Sequence, residues 1–248
     1  IIAVPMNRNE DNRYSVDYSA FEAAIVKHDV KVFIHCNPHN PVGHVWTEDE
    51  MDQLFSICKR HGVLIISDEI HQDLVAGPLP FTSALTVSNG AYANNIIAMS
   101  SLSKSFNMAS LHHAEVIIPN EDLRRQYNAC KSLMYHTDSD VIAEVAITAA
   151  YTHAEAEMWL TDLLNLVKEN YEYMCTNLLQ VMPELRISPM DGTYLVWIDF
   201  GAYVKAEDMH NVFENQCGIA PSFGEWFGGE RYATFVRLNL ATSLENIK

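Results

Sequence analysis

Between residues 31 and 118 the apolar positions fall in short unbroken runs, separated by a stretch with helical spacing, and each run stops at a cluster of polar residues. Residues 31–36 (KVFIHC) predict a strand that ends at the loop 37–43 (NPHNPVG), where two prolines and a glycine impose an irregular path. Thr47 followed by Glu48, Asp49 and Glu50 is a capping box with acids in the electropositive first turn. Met51, Leu54, Phe55 and Cys58 then share one helical face, and Lys59, Arg60 and Gly62 close that helix. Residues 63–67 (VLIIS) are apolar throughout, the pattern of a strand covered on both faces in a parallel sheet, and they deliver Asp68, Glu69 and His71 to the C-terminal end. Residues 95–99 repeat the pattern and deliver Ser101, Ser103 and Lys104. A strand over 115–118 and a helix from about Asn120 complete an α/β order, in which ligands gather beyond the C-terminal strand ends.

From Thr137 to Val181 the spacing turns helical, with Trp159, Leu163, Leu166, Val167, Asn170, Met174, Leu178 and Val181 in register, and Pro183 ends the run. Strands over 193–200 and 234–240, a helix over 206–216 and a short apolar piece at 218–221 predict a smaller α+β unit. The expected division is a large domain over 1–170 and a small domain over 171–248. The chain starts at Ile1 inside an apparent short strand (IIAVP) and stops at Lys248 in the opening of a helix, so it reads as part of a longer protein.

Composition narrows the partners. The chain has 248 residues, 48% of them hydrophobic, enough for a substantial core. Its formal charge of −16, from 32 acidic and 16 basic residues, opposes nucleic acid and anionic membrane surfaces. Five scattered cysteines form no C-x-x-C pair, which predicts a reduced, cytoplasmic chain. No apolar run reaches the length of a membrane span, and no basic-then-apolar leader opens the sequence.

The polar groups at the strand ends are Asn40, Asp68 with His71, and Lys104 with its serines. Singly, each is ordinary: a lysine after a strand is usually solvated, Asp-Glu at a strand end usually caps a turn, and Asn-Pro is a turn whatever its use. Together they suit a carbonyl cofactor. A partly buried lysine can condense with a carbonyl, an acid can hold a ring nitrogen protonated, and hydroxyls suit a phosphate. His35, His39 and His44 straddle a strand and a proline turn and do not share a metal-binding face. Phe223, Trp226 and Phe227 among Gly224, Gly228 and Gly229 read equally as a mobile loop over a site or as a packed loop.

The segments NPHNPVGHVWT, VLIISDEIHQDL, SSLSKSFNMA, GTYLVWIDF and FVRLNLA resemble, in order and spacing, the signatures of the class I/II aminotransferase family of fold-type I pyridoxal phosphate enzymes. His71 stands where most aminotransferases carry tyrosine. With the N-P-H-N-P-x-G-x-x-W form, it is similar to the cystathionine β-lyase or C–S lyase branch. The resemblance implies a three-layer α/β/α large domain with a smaller α+β domain, incomplete at the N-terminus because the family's glycine-bearing phosphate loop and ring-stacking aromatic have no counterpart here.

It also implies roles for individual residues. Lys104 becomes the cofactor-bearing lysine and the base for the Cα proton. Asp68 pairs with the pyridinium nitrogen, and Asn40 bonds the phenolic oxygen with His71 nearby. Ser101 and Ser103 contact the phosphate, and Arg237 forks onto the substrate carboxylate. Two departures stand out: Ser110 occupies a usual glycine position, and His112 and His113 stand where aminotransferases often have an arginine. The expected activity is α,β-elimination on cystathionine or cysteine-like L-amino acids by a cytoplasmic homodimer. An aminotransferase using the same groups is the alternative, and a non-catalytic regulatory protein on this fold is the second.

Overall fold

The computed structural model describes residues 1–134 and 140–248. The chain opens with a hairpin, β1 (Asn7–Arg8) and β2 (Tyr14–Ser15), followed by α1 (Tyr18–His28), β3 (Val32–Cys36), α2 (Glu48–Arg60) and β4 (Leu64–Asp68). Next come α3 (Val87–Gly90), β5 (Ile96–Ser100), α4 (Leu102–Ser105), β6 (Glu115–Ile117) and α5 (Glu121–Leu133). Two further helices, α6 (Val141–Thr152) and α7 (Ala154–Val181), lead into β7 (Arg186–Ile187) and β8 (Leu195–Asp199). After helical turns at Ala206–Asp208 and Asn211–Gln216, β9 (Ser222–Phe223), α8 (Glu225–Gly228), β10 (Phe235–Asn239) and α9 (Leu244–Ile247) complete the order.

Two four-stranded sheets organise these elements. The first runs β3-β4-β5-β6, with β3, β4 and β5 parallel and β6 antiparallel. Cys36 pairs with Asp68 and Asp68 with Met99, so three parallel strands end at one level and release their loops at one edge. The capping box at Thr47 is formed as the sequence predicts, and α2 buries Met51, Leu54, Phe55 and Cys58 against this sheet with Phe21 and Ile25 of α1. The second sheet, β7-β8-β10-β9, is antiparallel, and its core joins Val196, Ile198 and Val236 to Val167 and Met174 of α7.

The hairpin packs against the second sheet. Tyr14 packs in a small cluster with Trp197 and Phe235, its hydroxyl accepting from Trp197 Nε1 at 3.2 Å. Arg8 pairs with Asp199 at 2.7 Å, and Arg13 pairs with Asp191.

Several expectations change. Residues 1–5 form no strand; Val4 instead packs as a side chain on the first core. The first sheet is covered on one face among the described residues, leaving Val32, Ile34, Met99 and Ile117 exposed on or beside the other. The expected helical run begins at Thr137, outside the described residues, and breaks at His153, which is extended. Thr148 and Thr152 each donate a hydroxyl to the carbonyl four residues back, a bond that weakens and bends a helix at this point. The predicted helix at 206–216 is a 3₁₀ turn followed by a wide π-helical segment. No described helix is long and apolar enough to cross a membrane.

Candidate active site

The first loop of the site is built on Asn37, whose buried side chain donates to Thr82 O at 3.0 Å and accepts from Trp46 N at 3.2 Å. Beyond it, His39 and His44 close a turn through His39 N to His44 O at 2.7 Å, and Asn40 stands in that turn. Gly43 is required there: its φ of +71° is left-handed, and a Cβ would meet the Cα of Met190 at 3.2 Å. Asp191 N and Gly192 N both donate to Gly43 O, which fastens the Asn40 loop to the segment leading into β8. The rings of His35, His39 and His44 surround Trp46 with centroids 5.4, 5.8 and 4.8 Å away, so they serve packing rather than one ligand set.

At the end of β4 the two acids divide. Glu69 is buried and accepts from Ser67, Ser83 and the Ala84 amide, so it anchors a loop; burial pushes its pKa up, against those bonds. The Asp68 carboxylate accepts only from Ile70 N among the described bonds, at 3.2 Å. His71 is 3% exposed, and neither ring nitrogen has a hydrogen-bond partner. Burial first, then the charges of Lys104 and Arg237, lower its pKa to about 4, so the ring is neutral near pH 7.

Lys104 lies in α4, one turn beyond β5. The hydroxyl of Ser101 caps this turn by accepting from Ser103 N and donates to His113 O at 2.7 Å. Ser103 Oγ is 2.5 Å from Ser101 Oγ. Since Ser101 spends its single proton on His113 O, Ser103 donates to Ser101, and both hydroxyl protons are engaged. Ser110 is exposed in a 3₁₀ turn that packs on α4, where a serine side chain is accommodated without burial.

A cavity of about 320 Å³ gathers Asn40, His71, Lys104 and Arg237 with Tyr194 and Ser222. Arg237 donates to Asn40 Oδ1 at 2.8 Å and to Ser222 Oγ at 2.9 Å, and its Cζ lies 4.9 Å from the Phe227 ring centroid. Phe227 in turn meets Trp197 edge-on at 5.4 Å, so the glycine-rich loop packs its phenylalanine over the arginine while Trp226 remains exposed. Of the residues read from the sequence, Asn40, His71, Lys104 and Arg237 line the cavity. Asp68 sits at the adjoining strand end, and Ser101 and Ser103 lie in the turn beneath Lys104. Tyr194 and Ser222 were not singled out; Tyr194 is inside the GTYLVWIDF segment, and Ser222 carries no periodic signal because β9 has two residues.

The sequence model of the aminotransferase class I and II family matches residues 1–248. The chain belongs to this family. It is 29% identical to cystathionine beta-lyase PatB of Bacillus subtilis (strain 168) over 242 residues, covering 96% of this chain and 61% of PatB. Protein MalY of Escherichia coli (strain K12) is 33% identical over 241 residues, covering 96% of this chain and 60% of MalY. The crystal structure of a PLP-bound putative aminotransferase from Clostridium difficile 630 superposes with a TM-score of 0.91 at 32% identity, covering 98% of this chain and 62% of that one. The chain therefore has the fold-type I architecture of the family while spanning about three fifths of the length of these relatives.

Proposed function

We propose that this chain is the main part of a pyridoxal phosphate-dependent carbon–sulfur β-lyase that acts on cystathionine or cysteine-like L-amino acids and yields a thiol, pyruvate and ammonia. The observation that carries the reading is the convergence of Lys104, neutral His71, Asn40 and Arg237 on one small polar cavity beside Asp68. The residues fit the cofactor on a structural criterion: both buried nitrogens of His71 lack partners, so the cavity has hydrogen-bonding capacity that a polar ring substituent would satisfy. When bound, pyridoxal phosphate supplies a carbonyl that condenses with amines and a ring that accepts the electrons released at Cα.

Lys104 is the amine that would hold the cofactor and then take the Cα proton at Nζ. Asp68 would hold the proton on the ring nitrogen from the end of β4. Arg237, already oriented by Ser222 and Asn40, would clasp the substrate carboxylate with its fork and so decide which bond to Cα is aligned for cleavage. Ser103 would reach a phosphate by turning its proton away from Ser101, which remains the cap of α4.

The name of PatB supports elimination, whereas the C. difficile protein supports the second reading, an aminotransferase that returns the proton to the cofactor instead. Incubating the full-length protein with cystathionine and no added 2-oxo acid separates them. Stoichiometric pyruvate is expected, and its absence overturns the lyase reading. Borohydride reduction with cofactor should label Lys104; no label there would favour a non-catalytic protein. A reduced, cytoplasmic setting is supported by five cysteines that are all free thiols. A homodimer is supported by the exposed apolar face of α6 at Val141, Ile142 and Val145.

A further inference from the structure

Lys104 sits in a helix of four residues, Leu102–Ser105, followed by the backbone bonds Phe106 N to Leu102 O at 2.9 Å and Met108 N to Ser103 O at 3.1 Å. A single turn does not hold its own geometry in water, since nucleating a turn fixes several dihedrals for one bond. Side-chain bonds on both sides of the turn therefore add to its placement. On the N-terminal side the Ser101 cap and its bond to His113 O supply one clasp. On the C-terminal side Ser105, fully buried, donates Oγ to Asp73 Oδ2 at 2.7 Å. The same carboxylate oxygen accepts from the Tyr151 hydroxyl of α6 at 2.8 Å. Tyr151 also packs edge-on against Phe106, the residue that follows the turn, at 5.4 Å.

Asp73 is not an isolated loop residue. It belongs to the turn that carries His71, closed by Leu74 N to His71 O at 2.9 Å. The next positions are tied across the molecule, with Thr193 N donating to Leu74 O at 2.7 Å and Val75 bridging to Gly192. One carboxylate thus joins the His71 turn, the Lys104 turn and α6, and none of its bonds reaches the cavity itself.

We propose that Asp73 is a positioning residue that sets the placement of Lys104 relative to His71 through Ser105, with Tyr151 as the second arm of the clasp. The proposal rests on Lys104 being the cofactor-bearing amine. Charge-assisted bonds of this kind are roughly twice as strong as neutral ones, and an ångström of misplacement at a reacting group costs up to about a hundredfold in rate.

The test uses the full-length holoenzyme and three readouts: borohydride labelling of Lys104, the visible circular dichroism of bound pyridoxal phosphate, and kcat and KM per mole of labelled enzyme. Asp73→Asn, which keeps the shape but removes the charge, should lower kcat about tenfold or more with KM within about twofold, and should reduce the dichroic band per bound cofactor. Asp73→Glu should recover part of both, and Ser105→Ala should move both in the same direction as Asp73→Asn. A purely stabilising role would lower the unfolding temperature while leaving kcat and dichroism per labelled enzyme at the wild-type values; that result overturns the proposal. Should Asp73→Asn fail to fold, Ser105→Ala and Tyr151→Phe decide it on the same readouts. Absence of label on Lys104 in the wild-type protein would instead defeat the cofactor reading, which keeps the two failures distinct.

Discussion

His35 couples folding to pH independently of substrate and cofactor. Its ring is 1% exposed, lies 5.4 Å from Trp46 and 5.2 Å from Phe55 between centroids, and has no hydrogen-bond partner on either nitrogen. Burial, reinforced by His39 and His44, lowers its pKa from 6.5 to about 3. The unfolded chain takes up a proton below pH 6.5 that the folded chain refuses, so stability is lost as the pH falls from 6.5 toward about 3. Between about pH 7.5 and about pH 5 this one residue costs about 2 kcal/mol of folding free energy. His35→Phe keeps a ring in the same aromatic site and removes both the proton linkage and two unsatisfied polar atoms. Urea unfolding of full-length wild-type and variant protein at those two pH values should show the variant gaining about 2 kcal/mol relative to wild type on acidification. If the two proteins lose equal stability, to within about 0.5 kcal/mol, the ring is reached by water or finds a partner, and His35 does not couple folding to pH.

Other perturbations test the site and its supports. Arg237→Lys keeps the charge but loses the fork that meets Asn40 and Ser222; the KM for the amino acid should rise about 10- to 100-fold in steady-state assays. Gly224→Ala would place a Cβ 2.1 Å from Tyr232 O and 2.6 Å from Phe235 Cβ, so the loop carrying Phe227 must shift, with a loss of about 2 kcal/mol in thermal unfolding and a raised KM. For Glu50, burial opposes ionisation, but bonds from His44 and Thr47 hold its pKa down to about 2. Its contribution is therefore present above pH 4.5 and is lost toward about 2. Glu50→Gln should cost about 1–2 kcal/mol near neutrality, with the difference closing as acid protonates the wild-type carboxylate.

Local signals were readable where one segment carries both the pattern and its consequence. Thr47 and Glu50 are three residues apart and make the reciprocal cap that their spacing predicts. The parallel strands lie where the unbroken apolar runs place them, although one face of their sheet is left uncovered among the described residues. Other features left weaker traces. Strands β1, β2, β7 and β9 have two residues each, too short for any period to register. Helix α1 carries an Asp17 cap and the pair Phe21 and Ile25, yet its apolar face is narrow beside the stronger pattern that follows. The serines beside Lys104 read alike in sequence, and only their geometry separates Ser101, the cap, from Ser103.

The sequence alone determines which polar groups are delivered to strand ends, and in what order, because strand length and the turn residues that stop a strand are properties of neighbouring positions. Which of those groups meet is a matter of register and packing. Arg237 reaches Asn40 across 197 positions because β10 pairs with β8 so that Arg237 lies opposite Trp197, and because Gly43 fastens the Asn40 loop to Asp191 and Gly192 just before β8. Asp73 reads in sequence as one acid in a polar turn; that it holds Ser105 and Tyr151 is decided by the folded arrangement of three segments far apart in the chain. Contacts of that separation leave no periodic trace, since the entropy of closing the chain between them is recovered only when both sheets and their cores are already assembled.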